Sequence, residues 1–162
     1  MDSGIDMRKA DGGQGHRFDY KGMHRYLITL TTYRSTNVFT EKPLVMQLLD
    51  TLRESCWKHH FDVYAYCCLP QQFVMMVRGK TEYADMKAFL ASFRARSTEV
   101  IGNSSGHTLW KRTYTERVLR KKEDSKVIAS EIYQLPVKAG LVSTPGDFPY
   151  QGSFVVNERK NP

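Results

Sequence analysis

The sequence predicts an α+β fold: a single antiparallel β-sheet in the order β-α-β-β-α-β, with helices packed on it and an extra helix at the C-terminal end. Segments rich in β-branched and aromatic residues alternate with segments whose apolar residues recur at helical spacing. Two strand-like segments are joined by only three residues, 69–71, which favours an antiparallel hairpin. A chain of 162 residues is also long enough to bury a full core as one domain.

The first four elements are predicted in the N-terminal half of the chain. Residues 26–33 are rich in β-branched and aromatic side chains and form the first strand. A helix begins near Pro43, since proline favours the first helical turn, and ends near His60. Residues 63–68 and 72–78 then form the two strands of the hairpin.

The remaining elements follow after the hairpin. Apolar residues at helical spacing predict a second helix over residues 86–100, and a flexible loop is expected at 102–106 because it consists of Gly, Asn and Ser. Residues 109–112 and 117–120 are predicted as short strands. A third helix begins near residue 123, where acidic residues suit its dipole, and runs to about Leu135 before a proline.

The folded domain is predicted to cover residues 23–156. Residues 1–22 contain glycines and charges without periodicity and are expected to be a disordered lead-in, and residues 157–162 a short tail. No apolar run reaches the ~20 residues of a membrane span, and the N-terminus lacks the pattern of a signal peptide. The three cysteines lack the spacing of a disulfide framework or a zinc site, so we expect a cytoplasmic protein with no membrane partner.

The basic charge is concentrated in one segment. The chain has 24 Lys and Arg against 17 Asp and Glu, a formal net charge of +7. Six basic residues lie in the segment 111–122, where Glu116 is the only acidic residue. They are Lys111, Arg112, Arg117, Arg120, Lys121 and Lys122. Such a cluster favours a polyanionic partner, although a solvated basic edge is an equally acceptable interpretation.

Residues 69–77 are the segment on which the functional interpretation depends. In a strand, alternate side chains share a face, so Gln72, Val74 and Met76 point the same way. Taken alone, this segment predicts a core strand whose single Gln finds a hydrogen bond.

Over residues 24–153 the chain resembles the HUH single-tyrosine (Y1) transposases, in particular the REP-associated tyrosine transposases of bacteria. The segments that carry the resemblance are Tyr33-Arg34 with Val38-Phe39, Leu69-Pro70, Leu109-Trp110-Lys111-Arg112, Arg117-Val118-Leu119-Arg120, Pro136-Val137-Lys138-Ala139-Gly140-Leu141-Val142, and Asp147-Phe148-Pro149-Tyr150 with Ser153. The resemblance implies the ferredoxin-like or RRM-like HUH topology and a DNA partner that is single-stranded or a hairpin.

The resemblance also implies a chemistry whose residues are missing here. In the family, two histidines at i and i+2 of a strand hold a divalent metal, a helical tyrosine attacks the DNA phosphate, and an amide side chain one turn later completes the metal shell. The matching positions are Gln72, Val74, Glu131 and Leu135. We therefore expect no catalytic residues and no cofactor, beyond weak Mg²⁺ binding that Gln72 and Glu131 could provide.

Three other aromatic residues, Tyr133, Tyr114 and Trp110, are candidates to replace the nucleophile or to contact DNA. Tyr133 lies about 200° around the helix from Glu131 and is expected to face away from the site. Tyr114, inside the basic segment, is expected to pack or to stack on a base, and Trp110 to pack in the core.

The sequence thus predicts a transposase-derived DNA-binding protein that does not cut DNA. Its predicted DNA-binding residues are Arg94, Lys111, Arg112, Tyr114, Arg117, Arg120, Lys121 and Lys122. One alternative is a metal-dependent transposase or nickase with an altered site. Another is a protein-interaction module whose basic patch meets an acidic partner. Both monomers and dimers are compatible with the sequence.

Overall fold

The computed structural model describes residues 18–102 and 108–155. Most of the predicted lead-in, most of the predicted loop at 102–106 and the predicted tail lie outside these described residues. Within them, no helix combines the length and the apolar character needed to cross a membrane.

Residues 18–22 form part of the folded domain, ahead of the boundary predicted at residue 23. Tyr20 is buried, and its hydroxyl donates a hydrogen bond to Glu116 over 3.0 Å. The backbone N–H of Met86 donates to the carbonyl of Tyr20, over 2.9 Å. The carbonyl of Gly22 occupies the space that a Cβ at position 79 would need, so Gly79 is required for this close approach.

Five antiparallel strands form one sheet, in the order β4-β1-β3-β2-β5. The strands are β1 (Arg25–Thr31), β2 (Phe61–Cys68), β3 (Gln72–Gly79), β4 (Thr115–Val118) and β5 (Gln151–Gly152). The predicted fold class and the predicted hairpin of β2 and β3 are confirmed. The sequence analysis did not predict β5, which pairs with the outer side of β2.

The prediction of a strand at residues 109–112 is wrong. This segment runs beside the end of β1 and makes one isolated bridge, between Thr32 and Trp110. Two backbone hydrogen bonds hold it there, from Tyr33 N–H to the Leu109 carbonyl and from Lys111 N–H to the Thr31 carbonyl. The Trp110 ring lies in the core, where Trp110 is 2% exposed, as predicted.

In the described residues, three α-helices pack on the sheet, α1 (Lys42–His59), α2 (Met86–Ser97) and α3 (Ser125–Tyr133), and a short helix, α4 (Leu135–Lys138), follows α3. A π-helical turn, Thr98–Gly102, continues α2. Asp85 and Asp124 cap α2 and α3 through hydrogen bonds to backbone N–H groups. The third predicted helix corresponds to α3, and α4 begins at Leu135, where the predicted helix ends. Pro136 lacks the N–H that a continuous helix would need.

The two faces of the sheet are covered to different extents. Helices α1 and α2 cover one face with the larger core cluster, which includes Ile28, Leu52 and Phe89. On the other face, Ile128 and Ile132 of α3 pack in a smaller apolar cluster with side chains of β2 and β3. The β1 and β4 half of this second face is partly exposed, and it is the half on which the candidate site lies.

Candidate nucleic-acid interface

Gln72, which the resemblance matches to the family's first histidine, is hydrogen-bonded within the sheet. It is the first residue of β3 and pairs across the strands with Thr31 of β1. Its Nε2 donates a hydrogen bond to Oγ1 of Thr31, over 3.4 Å. The side chain therefore has the hydrogen bond that the simple interpretation of this strand predicts.

The two residues that the resemblance matches to the second histidine and to the amide ligand are apolar. Val74 is 6% exposed and belongs to the same apolar cluster as Met76 and Ile132. Leu135, the first residue of α4, packs against this cluster. Neither side chain carries an atom that could ligate a metal, so both contribute packing.

Glu131 is the residue that the resemblance matches to the nucleophilic tyrosine. It is exposed on α3, next to the buried Ile132. A carboxylate cannot form the phosphotyrosine bond that defines the family's chemistry. Its only possible role at a metal would be as an oxygen ligand.

The residues at these four positions do not fit the divalent metal that the resemblance implies. Val74 and Leu135 offer no ligand, and the Gln72 amide and the Glu131 carboxylate offer at most two side-chain ligands. In the described part of the chain, no three His, Cys, Asp or Glu side chains are grouped so as to hold a metal ion. Weak Mg²⁺ binding by Gln72 and Glu131 stays a prediction.

The two tyrosines considered as replacements are both engaged elsewhere. The Tyr133 hydroxyl donates to the carbonyl of Gly152 in β5, over 2.9 Å. Burial raises the pKa of Tyr133, so the phenol keeps its proton near neutral pH. The Tyr114 hydroxyl accepts a hydrogen bond from Lys87 over 3.4 Å, and the Arg94 guanidinium lies 5.0 Å from its ring centre.

Arg94 holds the first part of the basic segment in place. Its Nη2 donates to the carbonyl oxygens of Lys111 and Arg112, over 2.8 and 3.1 Å. The side chains of Lys111 and Arg112 are exposed. Arg94 therefore positions two exposed cations, and its own guanidinium is largely engaged by the protein.

Arg117, in β4, forms an ion pair with Glu123. The two side chains are 28% and 22% exposed, and Nη1 of Arg117 lies 2.9 Å from Oε1 of Glu123. The backbone N–H of Arg120 donates to the same carboxylate, over 2.8 Å. Burial alone would raise the pKa of Glu123, but the hydrogen bonds from Arg120 and Arg117 lower it below its ordinary value.

The turn from β4 to α3 carries three cations, Arg120, Lys121 and Lys122, which we call the basic turn. Lys121 and Lys122 are exposed, and Arg120 is partly exposed. Arg25 fixes the turn, since its guanidinium donates to the Arg120 carbonyl and to the Ser125 hydroxyl, over 2.5 and 2.7 Å. The sequence analysis missed this role of Arg25, which depends on a contact between residues about a hundred positions apart.

Beside the basic turn lies a surface that the sequence analysis also missed. Residues paired directly across antiparallel strands share a face. Thr31 pairs with Gln72, and Thr29 pairs with both Val74 and Thr115. With Arg117, these threonines form what we call the open sheet face, made of Thr29, Thr31, Thr115 and Arg117. Hydroxyl and guanidinium groups on such a surface can contact phosphate and sugar oxygens.

Comparisons with known proteins identify the fold. No family model and no curated protein matches the chain. Among solved structures, it is similar to a REP-associated tyrosine transposase bound to a REP hairpin, with 18% identity over 92% of this chain and 86% of that chain and a TM-score of 0.73. It is also similar to a protein of Deinococcus radiodurans R1 that is provisionally named a transposase. The identity is 14%, over 76% of this chain and 95% of that chain, and the TM-score is 0.52.

These similarities show that the chain has a transposase-like fold, the fold of the single-tyrosine transposases. The more extensive of the two likenesses is to a REP-associated member, so the predicted resemblance is confirmed for the fold.

Proposed function

We propose that this protein is a transposase-derived DNA-binding protein that acts in the cytoplasm and holds single-stranded or hairpin DNA without cutting it. The observation that carries the proposal is Val74, which is 6% exposed inside the apolar cluster under α3. The resemblance matches this core residue to a metal ligand. Its apolar character favours a protein that keeps the fold to bind DNA and does not cleave it.

The energetic role of this position supports the same conclusion. Burial of a valine side chain stabilises a fold by about 1.5–3 kcal/mol. A histidine at position 74 would have to place a polar ring against Met76 and Ile132, which lie in the same cluster. Val74 therefore stabilises the fold at a position where the resemblance implies a metal-binding histidine.

The binding surface we propose combines the open sheet face with the basic turn and the two exposed cations held by Arg94. The basic turn supplies charge for phosphates, and the threonines of the open sheet face supply hydroxyl groups at the same sheet edge. Each neutralised phosphate adds about 0.7 to the salt dependence of binding on single strands and about 0.9 on duplex. The similar REP-associated transposase was solved with a hairpin bound, which supports DNA as the ligand class.

A binding assay with charge reversals tests the DNA-binding part of the proposal. A labelled DNA hairpin with a single-stranded tail is titrated with Lys121→Glu and with the control Lys42→Glu, which makes the same charge change at the first turn of α1. We expect Lys121→Glu to weaken binding about tenfold, equal to about 1.4 kcal/mol, and to reduce the salt slope. Equal affinities for both variants would reject this surface. Salt-independent binding, or none, would favour a protein-interaction module instead.

A cleavage assay tests the non-cutting part. The labelled hairpin is incubated with the protein and Mg²⁺ or Mn²⁺ and then resolved on a denaturing gel. We expect neither cleaved strand nor covalent protein–DNA adduct. An adduct, or cleavage lost in Gln72→Ala and Glu131→Ala, would overturn this part in favour of a nickase with an altered site.

A further inference from the structure

An exposed tryptophan lies at the C-terminal end of α1, apart from the interface proposed above. Trp57 is 84% exposed, whereas the other tryptophan, Trp110, is 2% exposed and donates its Nε1–H to Ser97. The exposure follows from the helix, because Cys56 and Leu52 face the core and Trp57 is rotated by about 100° from Cys56. The helix thus presents a full indole ring to solvent.

Trp57 borders a groove of about 610 Å³ between the end of α1, the start of β2 and Phe154. This groove lies beside the start of β2, on the side of the sheet where β5 is the edge strand and opposite β4. Helix α1 packs on the face opposite the open sheet face. The groove is therefore a separate surface from the open sheet face and the basic turn.

The polar lining of the groove is mostly cationic. It includes Arg53, Lys58 and Lys80, against one carboxylate, Asp62. The Lys80 ammonium is 4.0 Å from Asp62, and both side chains are well exposed, so this pair is weak. The Arg53 guanidinium lies 4.3 Å from the centre of the Phe154 ring, which orders this side of the groove.

We propose that this groove binds single-stranded nucleic acid, with one base stacked on Trp57 and the neighbouring phosphates contacting Lys58 and Lys80. An exposed aromatic ring among cations is the arrangement with which proteins bind single strands without sequence preference. A protein-docking surface would present a broader apolar patch than the exposed Trp57 ring and the partly exposed Phe154, which lie among cations. The groove would hold a single-stranded segment at the sheet edge farthest from β4.

The two tryptophans make the experiment direct. Because Trp110 is buried, fluorescence that iodide can quench comes from Trp57. The full chain is titrated with an oligothymidylate of about 12 nucleotides, a length within the usual range of such sites. We expect the oligonucleotide to quench Trp57 emission and to protect it from iodide, with a salt slope that falls by about 0.7 for each of Lys58→Ala and Lys80→Ala.

Matched variants separate stacking from general surface effects. Trp57→Ala should weaken oligonucleotide binding about tenfold, and Trp57→Phe should retain part of the affinity. Tyr83→Ala removes a ring that is 79% exposed and does not line the groove, and it should leave binding unchanged. Unchanged Trp57 emission, or wild-type affinity in Trp57→Ala, would overturn the proposal. Quenching by polyglutamate but not by the oligonucleotide would do the same and would indicate a protein partner.

The result of testing the groove can be distinguished from the result of testing hairpin binding. Lys121→Glu should weaken hairpin binding while the oligonucleotide still quenches Trp57. If hairpin binding fails but this quenching remains, the groove proposal stands alone.

Discussion

The ion pair between Arg117 and Glu123 leads to a prediction in which stability and DNA affinity change in opposite directions. The carboxylate of Glu123 accepts from the Arg117 guanidinium and from the Arg120 backbone, and so ties β4 to the start of α3. Glu123→Gln keeps the shape and one acceptor oxygen but removes the charge. It also leaves the Arg117 guanidinium uncompensated on the open sheet face.

The size of the stability loss follows from the burial of the pair. The side chains are 28% and 22% exposed, which places them between exposed pairs, worth up to about 1 kcal/mol, and buried pairs, which cost about 3–5 kcal/mol to break. We expect Glu123→Gln to lower the free energy of unfolding by about 1–2 kcal/mol at pH 7, measured by urea denaturation. Because Arg117 no longer pairs with a carboxylate, the Glu123→Gln variant should bind the hairpin about two- to fivefold more tightly. This corresponds to a gain in binding free energy of less than about 1 kcal/mol.

The pH dependence gives the decisive control. The pKa of Glu123 is lowered in the folded protein, so its contribution is present above the ordinary glutamate pKa of about 4.3 and is lost as the pH falls through the lowered value. The stability gap between wild type and Glu123→Gln should therefore close under acid conditions. Glu99→Gln breaks an exposed ion pair with Arg96. Its free energy of unfolding should equal that of the wild type both at pH 7 and under acid conditions. A gap that is independent of pH, or a tighter fold in Glu123→Gln, would refute the reasoning.

Three further predictions concern packing and positioning. Val74→Ala should lower the free energy of unfolding by about 2 kcal/mol in urea denaturation and leave hairpin affinity unchanged; a loss of affinity at constant stability would contradict a packing role. Arg94→Lys, with fewer donors for the carbonyls of residues 111–112, should speed tryptic cleavage after these residues, and unchanged cleavage rates would rule out the clamp. Ser97→Ala leaves the buried indole N–H of Trp110 without its acceptor and should cost about 1–3 kcal/mol by thermal denaturation, whereas Ser97→Thr, which keeps a hydroxyl, should recover part of it.

The elements that the sequence predicted well are those specified by local chemistry. The hairpin of β2 and β3 follows from a three-residue connection, and the start of α1 follows from Pro43 in its first turn. The segment around Trp110 makes only one isolated bridge, to Thr32 next to β1, so the predicted strand is absent there. Its conformation depends on contacts with Ser97 and Arg94, which are distant in the sequence.

The two-residue strand β5 is too short to leave a periodic pattern. Its place depends on Gly152, where a Cβ would lie 3.0 Å from the Tyr66 hydroxyl, and on the Tyr133 hydroxyl that bonds to the Gly152 carbonyl. Neither contact is visible in the local sequence.

The site was predictable in its charges but not in its arrangement. The basic segment can be located from residue types alone, whereas the four positions matched to family residues come from the resemblance. The open sheet face required the strand register, which brings Thr29 level with Thr115 and Leu27 level with Arg117. The pairing of Arg117 with Glu123 required the geometry of the turn between β4 and α3.

The shortness of β4 has a consequence for the solution behaviour of the protein. An edge strand presents unpaired backbone groups that can recruit the edge of another molecule, and short strands with charged side chains resist this aggregation. β4 has four residues and carries Arg117, with the basic turn directly after it. Variants that neutralise these cations should therefore self-associate more readily than the wild type, which size-exclusion chromatography would reveal. Cations suited to phosphates would thus also keep individual molecules apart.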